Sequence, residues 1–185
     1  MKRYGGRIPL MLGPLIVTAG FVLFAMVLGK GGYWKTYFPA MLVLGLGMAV
    51  VVAPLTTVVM NSVDQKHAGT ASGINNAVAR VAAVLANAVF GYVMLKVFDA
   101  RLEHNLANLN ISPNIIHEIQ SREMELAALQ PPQGLDAKTV MTIRGAISES
   151  FISGFRVVLL CCAALSMASA LIARHFIAPN APDPA

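Results

Sequence analysis

The sequence predicts an all-α fold, a polytopic membrane helical bundle of four transmembrane helices with an amphipathic helical loop on its outer face. Composition and patterning carry this prediction. Of 185 residues, 56% are hydrophobic and only 12% are charged, where soluble domains carry about 25% charged residues. Mean hydropathy is +0.64. The apolar residues are gathered into four runs, and about 20 helical residues suffice to cross the roughly 30 Å hydrocarbon core of a bilayer.

The first span covers 8–28 and is uncharged, with Pro9 and Pro14 near its start. The second covers 37–60, also uncharged, with Gly45 and Gly47 in its middle and Pro54 late. The third covers 68–95 and holds one formal charge, Arg80; the fourth covers 151–173, with Arg156 near its beginning. Neighbouring helices and side chains re-satisfy backbone groups freed by Pro and Gly in membrane helices. The stretch 96–150 is too polar to span and is expected to lie outside as two or three amphipathic helical pieces. Ser112 and Pro113 suit an N-cap and first helical position. Ile115, Ile116, Ile119 and Leu126 give a partly apolar face. Pro131-Pro132-Gln133-Gly134 breaks the chain. Asp136 is placed to cap a further helix that runs through Val140, Ile143 and Ile147 into span four.

Orientation follows from charges in the short loops. Lys2, Arg3 and Arg7 precede span one, Lys66 separates spans two and three, and Arg174 and His175 follow span four. The opposite short loop has Lys30 and Lys35. With an even number of spans, this bias predicts that both termini of a multi-pass membrane protein are cytoplasmic. The opening apolar run, about 21 residues, exceeds the 7–15 of a signal-peptide core, and no clear cleavage site follows it.

Other function classes lack support in the residues. Net charge is +5, but the basic residues are scattered singly without aromatic interleaving, which argues against nucleic acid. Cys161 and Cys162 are adjacent within an apolar run and read as small packing residues. No Ser/His/Asp or Cys/His constellation, Walker loop or metal-ligand spacing is present, so neither an enzyme nor a resident cofactor or metal is expected. The four spans contain no Asp or Glu, the groups on which proton coupling inside a membrane usually relies.

The third span is the most informative. Gly69, Gly73, Asn76, Arg80, Ala83, Asn87 and Gly91 recur at spacings of three and four, forming one small or polar stripe. A charge within a span costs on the order of 2.5–3.5 kcal/mol on insertion scales, so Arg80 should face protein or water. Two readings follow. The stripe is a packing seam, with Arg80 satisfied by a carbonyl or carboxylate; or Arg80, Asn76 and Asn87 line a water-filled path as gating or substrate residues. Thr56 and Thr57, just after Pro54, likewise either re-satisfy backbone groups at a kink or touch substrate.

With these residues in hand, the chain resembles the C-terminal end of a major facilitator superfamily transporter, and most closely the fourteen-span drug:proton antiporters of the EmrB/QacA type. The resemblance rests on APLTT at 53–57 and on the AG-x-ASG-x-NN-x-x-x-R pattern at 68–80. Arg3, Gly5 and Arg7 resemble the tail of the superfamily's cytoplasmic loop motif, with Lys2 where that motif usually has an acidic residue. The opening of span four, FISGFR, resembles the last span of that branch. The resemblance implies a partial major facilitator fold whose four spans are the family's last four. It implies a location in the inner (plasma) membrane and export of amphipathic small molecules against protons. It also implies that the N-terminal spans, with their coupling carboxylate, would have to join this chain as partners in the bilayer. A membrane remnant that only docks on other helices and a small dimeric exporter are the rival expectations.

Overall fold

The computed structural model describes residues 7–29, 31–61, 63–107, 109 and 111–176, apart from the side chains at 7, 53, 59–61 and 123. The helices in chain order are α1 (Arg7–Val27), α2 (Tyr33–Asn61), α3 (Ala68–Ala107), α4 (Pro113–Gln120) and α5 (Ala137–Phe176). Turns of 3-10 helix occupy Gln65–His67 and Glu123–Ala128. Among the described residues there is no strand. Helices α1, α2, α3 and α5 are long and apolar enough to cross a membrane. The contacts divide the chain into two compact units, one of Ala86–Val158 and one of the described residues before and after it.

In the flanking unit, α1 and α2 form a hairpin. Its turn holds Gly29 at φ 79° and Gly31 at φ 70°, a left-handed backbone that costs glycine nothing. The Gly29 amide donates to the Tyr37 hydroxyl at 2.9 Å, and Phe24 meets the Tyr37 ring edge-on at 5.8 Å. The helix backbones come very close at Gly47, where a Cβ would lie 2.7 Å from the backbone nitrogen of Val17. Lipid tails are as apolar as leucine, so helices in a membrane associate through such close packing rather than through the hydrophobic effect. Ala163, Ala170 and Ala173 of α5 are buried, again small residues at a packed surface.

The unit of Ala86–Val158 has a core of the water-soluble kind. Phe98, Leu102 and Leu106 lie four residues apart along α3 and are completely buried. They pack with Ile119 of α4, Leu129, and Ile143, Ala146 and Ile147 of α5. Burying a side chain of this size contributes about 1.5–3 kcal/mol. The buried Ser150 hydroxyl donates to the Ala146 carbonyl at 2.7 Å and accepts from Asn105 Nδ2 at 3.1 Å. A buried polar group is thereby satisfied. Ser112 precedes Pro113 at the start of α4 without a side-chain cap bond. Asp136 Oδ2 accepts from the Thr139 amide at 3.1 Å and caps α5; this bonding to Thr139 holds the Asp136 carboxyl below its ordinary pKa. Arg122 forms a two-pronged bond to Glu125, both contacts 2.9 Å.

These contacts explain why the helices outrun the apolar windows. Helix α3 continues past residue 95 to Ala107, and α5 begins at Ala137, directly after the expected Asp136 cap, and runs without a break into the fourth span. At 1.5 Å per residue each is about 60 Å long, roughly twice the hydrocarbon thickness. The polar stretch 96–150 is thus largely helical. Its apolar residues recur at helical spacing and find partners across α3, α4 and α5, while none of its described charged side chains is buried.

Candidate functional site

Helix α3 presents the residues singled out in the sequence. Small and apolar residues with no internal proline allow 40 uninterrupted helical residues. A rise of 1.5 Å per residue puts Arg80 roughly 18 Å along α3 from Ala68, and Asn76 one turn before it on the same face. Both side chains are exposed, and neither makes a hydrogen bond or ion pair among the described residues. Gly69 and Gly73, earlier on the stripe, have no neighbouring atom within 4 Å of where a Cβ would stand. Asn87 and Gly91, in the other unit, are exposed as well. The apolar side of this stretch is equally open: Val78 is 63% exposed, Val81 60% and Leu85 59%. The first half of α3 therefore offers both an apolar face and a polar stripe with a central cation. An unpaired guanidinium supplies five donors in a planar fork, suited to a carboxylate, a carbonyl ring or ordered water.

Thr56 and Thr57 are exposed on α2. Thr56 Oγ1 donates to the Val52 carbonyl at 3.1 Å, four residues back on the same helix, beside Pro54. That bond is the local back-bonding expected of threonine in a membrane helix. Arg7 opens α1; Arg3 and Gly5 lie outside the described residues.

One polar junction escaped the sequence reading. The Pro14 carbonyl on α1 accepts from Thr18 Oγ1 and from Ser166 Oγ of α5, both at 2.8 Å. Thr18 Oγ1 also lies 3.4 Å from the Ala163 carbonyl. A threonine four residues after an intrahelical proline was the available signal, but Ser166 could be joined to it only by the fold. Among the described residues, no group of His, Cys, Asp and Glu could hold a metal ion.

Residues 1–95 match the family model described as Major Facilitator Superfamily. The chain is 26% identical over 183 residues to the multidrug resistance protein Stp of Mycobacterium tuberculosis, covering 95% of this chain and 32% of that protein. It is 28% identical over 178 residues to the tetracenomycin C resistance and export protein of Streptomyces glaucescens, covering 94% of this chain and 32% of that one. The chain thus spans about a third of the length of the curated relatives it matches. No solved structure matches it. A family match over half of the chain, together with four membrane-length apolar helices among the described residues, places it in the Major Facilitator Superfamily.

Proposed function

We propose that this chain is the C-terminal part of a proton-coupled multidrug efflux permease of the fourteen-span branch, lying in the plasma membrane with both termini cytoplasmic. It exports amphipathic small molecules together with the N-terminal spans that complete the transporter. The open face of α3 carries this reading: among the described residues Arg80 and Asn76 have no hydrogen-bond or ion-pair partner, on a helix of membrane-spanning hydropathy. A cation in that position is costly in lipid, so further helices or a water-filled path must meet it. The functions named for the relatives, multidrug resistance and tetracenomycin C export, support efflux as the activity. Family transporters bind substrate between two halves near the bilayer midplane, and this chain supplies part of one half.

The test is efflux from vesicles holding either the 185-residue chain alone or the chain joined to the missing spans. Proton-dependent export of an amphipathic dye is expected only from the complete assembly. Robust efflux from the chain alone would overturn the partial-transporter reading in favour of a dimeric exporter. An assembly that inserts fully yet moves no dye would favour the docking remnant.

Orientation has its own measurement. A single cysteine at Gln133, in a background with Cys161 and Cys162 replaced, should react with an impermeant maleimide added outside intact cells. A cysteine at Gln65 should react only after the membrane is opened. The reverse pattern would invert the topology.

A further inference from the structure

We propose that a cavity in the Ala86–Val158 unit binds the phosphate headgroup of an anionic membrane lipid, with Arg144 as its cationic anchor. The cavity measures about 470 Å³ and lies between the segment Ala127–Gln130 and the outer face of α5 at Arg144, Ser148 and Phe151. Its two sides differ in chemistry. Leu129 and Phe151 give it an apolar floor, while Gln130, Ser148 and Arg144 bring amide, hydroxyl and guanidinium donors to its rim.

Arg144 is available for a ligand. It is exposed and makes no hydrogen bond or ion pair among the described residues. Arg122 of the same unit differs, because both of its bonds go to Glu125. A guanidinium without a carboxylate presents its fork to a phosphate in the geometry that favours two parallel bonds.

Register along α5 selects a lipid over a soluble anion. Phe151 begins the apolar run of the fourth span, and Arg144 precedes it by two turns, about 10 Å along the helix. The polar headgroup zone adds roughly 5–8 Å to each side of the hydrocarbon core. A guanidinium on a long side chain at that height reaches headgroup phosphates, and the floor at Phe151 meets the first methylenes of the acyl chains. Beside the cavity, Leu126 is held at φ 52°, ψ −119°. This backbone is strained for leucine, and such strain persists only where the surroundings over-determine it, commonly at ligand sites. Leu126 packs against the apolar core of the unit, which keeps the cavity wall in place.

The experiment titrates phosphatidylglycerol into the detergent-solubilised chain and counts bound lipid by native mass spectrometry. Phosphatidylcholine and inorganic phosphate form separate arms. Phosphatidylglycerol is expected to bind and to be favoured over phosphatidylcholine. Arg144→Gln should weaken its binding about tenfold, the scale of one lost charge-assisted bidentate contact, with Arg144→Lys intermediate. Arg122→Gln, at a cation already engaged, should bind as the parent does. Ala128→Phe fills the cavity without touching the cation and should weaken binding similarly, so the test survives if Arg144→Gln fails to fold. Unchanged phosphatidylglycerol affinity in Ala128→Phe or in folded Arg144→Gln would overturn the proposal. So would inorganic phosphate competing as well as the lipid, which would make the cavity a soluble-anion site.

Discussion

Arg80→Ala in the complete transporter is expected to lower efflux per molecule by at least about tenfold, equivalent to about 1.4 kcal/mol in the transport barrier, with membrane abundance unchanged. The expectation follows from position and surroundings. Arg80 lies about 18 Å along α3, too deep for easy snorkelling to a headgroup, and Asn76 shares its face one turn away. No side chain of this chain's described residues satisfies it. Whatever meets the guanidinium therefore belongs to the path, its water or the completing helices. Lysine keeps the charge but loses the planar fork, so Arg80→Lys should also impair efflux, though less than alanine. A packing anchor behaves differently: Arg80→Ala would reduce abundance, Arg80→Lys would be near normal, and each surviving molecule would transport at the parental rate. Quantifying membrane protein and dye efflux in the same cells separates the cases. Normal efflux per molecule in Arg80→Ala would end the pathway role.

The second large effect concerns assembly of the α1–α2 hairpin. Gly47→Ala is expected to destabilise it on the order of 1–3 kcal/mol, the usual cost of overpacking, and to lower the yield and melting temperature of the purified chain. A Cβ at Gly47 would stand 2.7 Å from the Val17 backbone nitrogen and 3.2 Å from the Gly13 carbonyl. Backbone atoms cannot step aside as a side chain does, so the two helices would have to separate along their whole contact. Gly45 provides the control two residues earlier, since a Cβ there meets nothing within 4 Å. Gly45→Ala should be neutral or slightly stabilising, because alanine loses less conformational freedom in a helix. Equal effects at the two positions, read by thermal melting, would show that the close approach is not at Gly47.

The pair Gly45 and Gly47 also marks the limit of what a sequence determines. Both stand in the middle of one apolar run, and nothing local distinguishes them. Only the neighbouring helix does, because close approach is a property of two backbones and not of one. The number and type of the spanning helices, by contrast, were legible from the chain alone. Whether a segment enters hydrocarbon depends on its own length and the transfer cost of its own side chains, which need no partner. The cap on α5 was legible for the same reason, since Asp136 and Thr139 are three residues apart and bond locally.

The far end of α3 was not legible in the same way. Hydropathy falls away near residue 95, but the helix continues to Ala107; at α5 the Asp136 cap and the apolar residues Val140, Ile143 and Ile147 already marked a start ahead of the apolar slab. What holds those extensions is the packing of Phe98, Leu102 and Leu106 on Ile119, Ile143 and Ile147, residues far apart in the chain. The candidate site divides likewise. The stripe of Asn76 and Arg80 could be read from helical spacing, because a face is fixed by 3.6 residues per turn. That this face is left open among the described residues, while Ser166 closes on Pro14 and Arg144 lines a cavity with no ion-pair partner among them, was decided only by tertiary structure. Burial and partnership depend on which distant segments arrive, and no local pattern encodes their arrival.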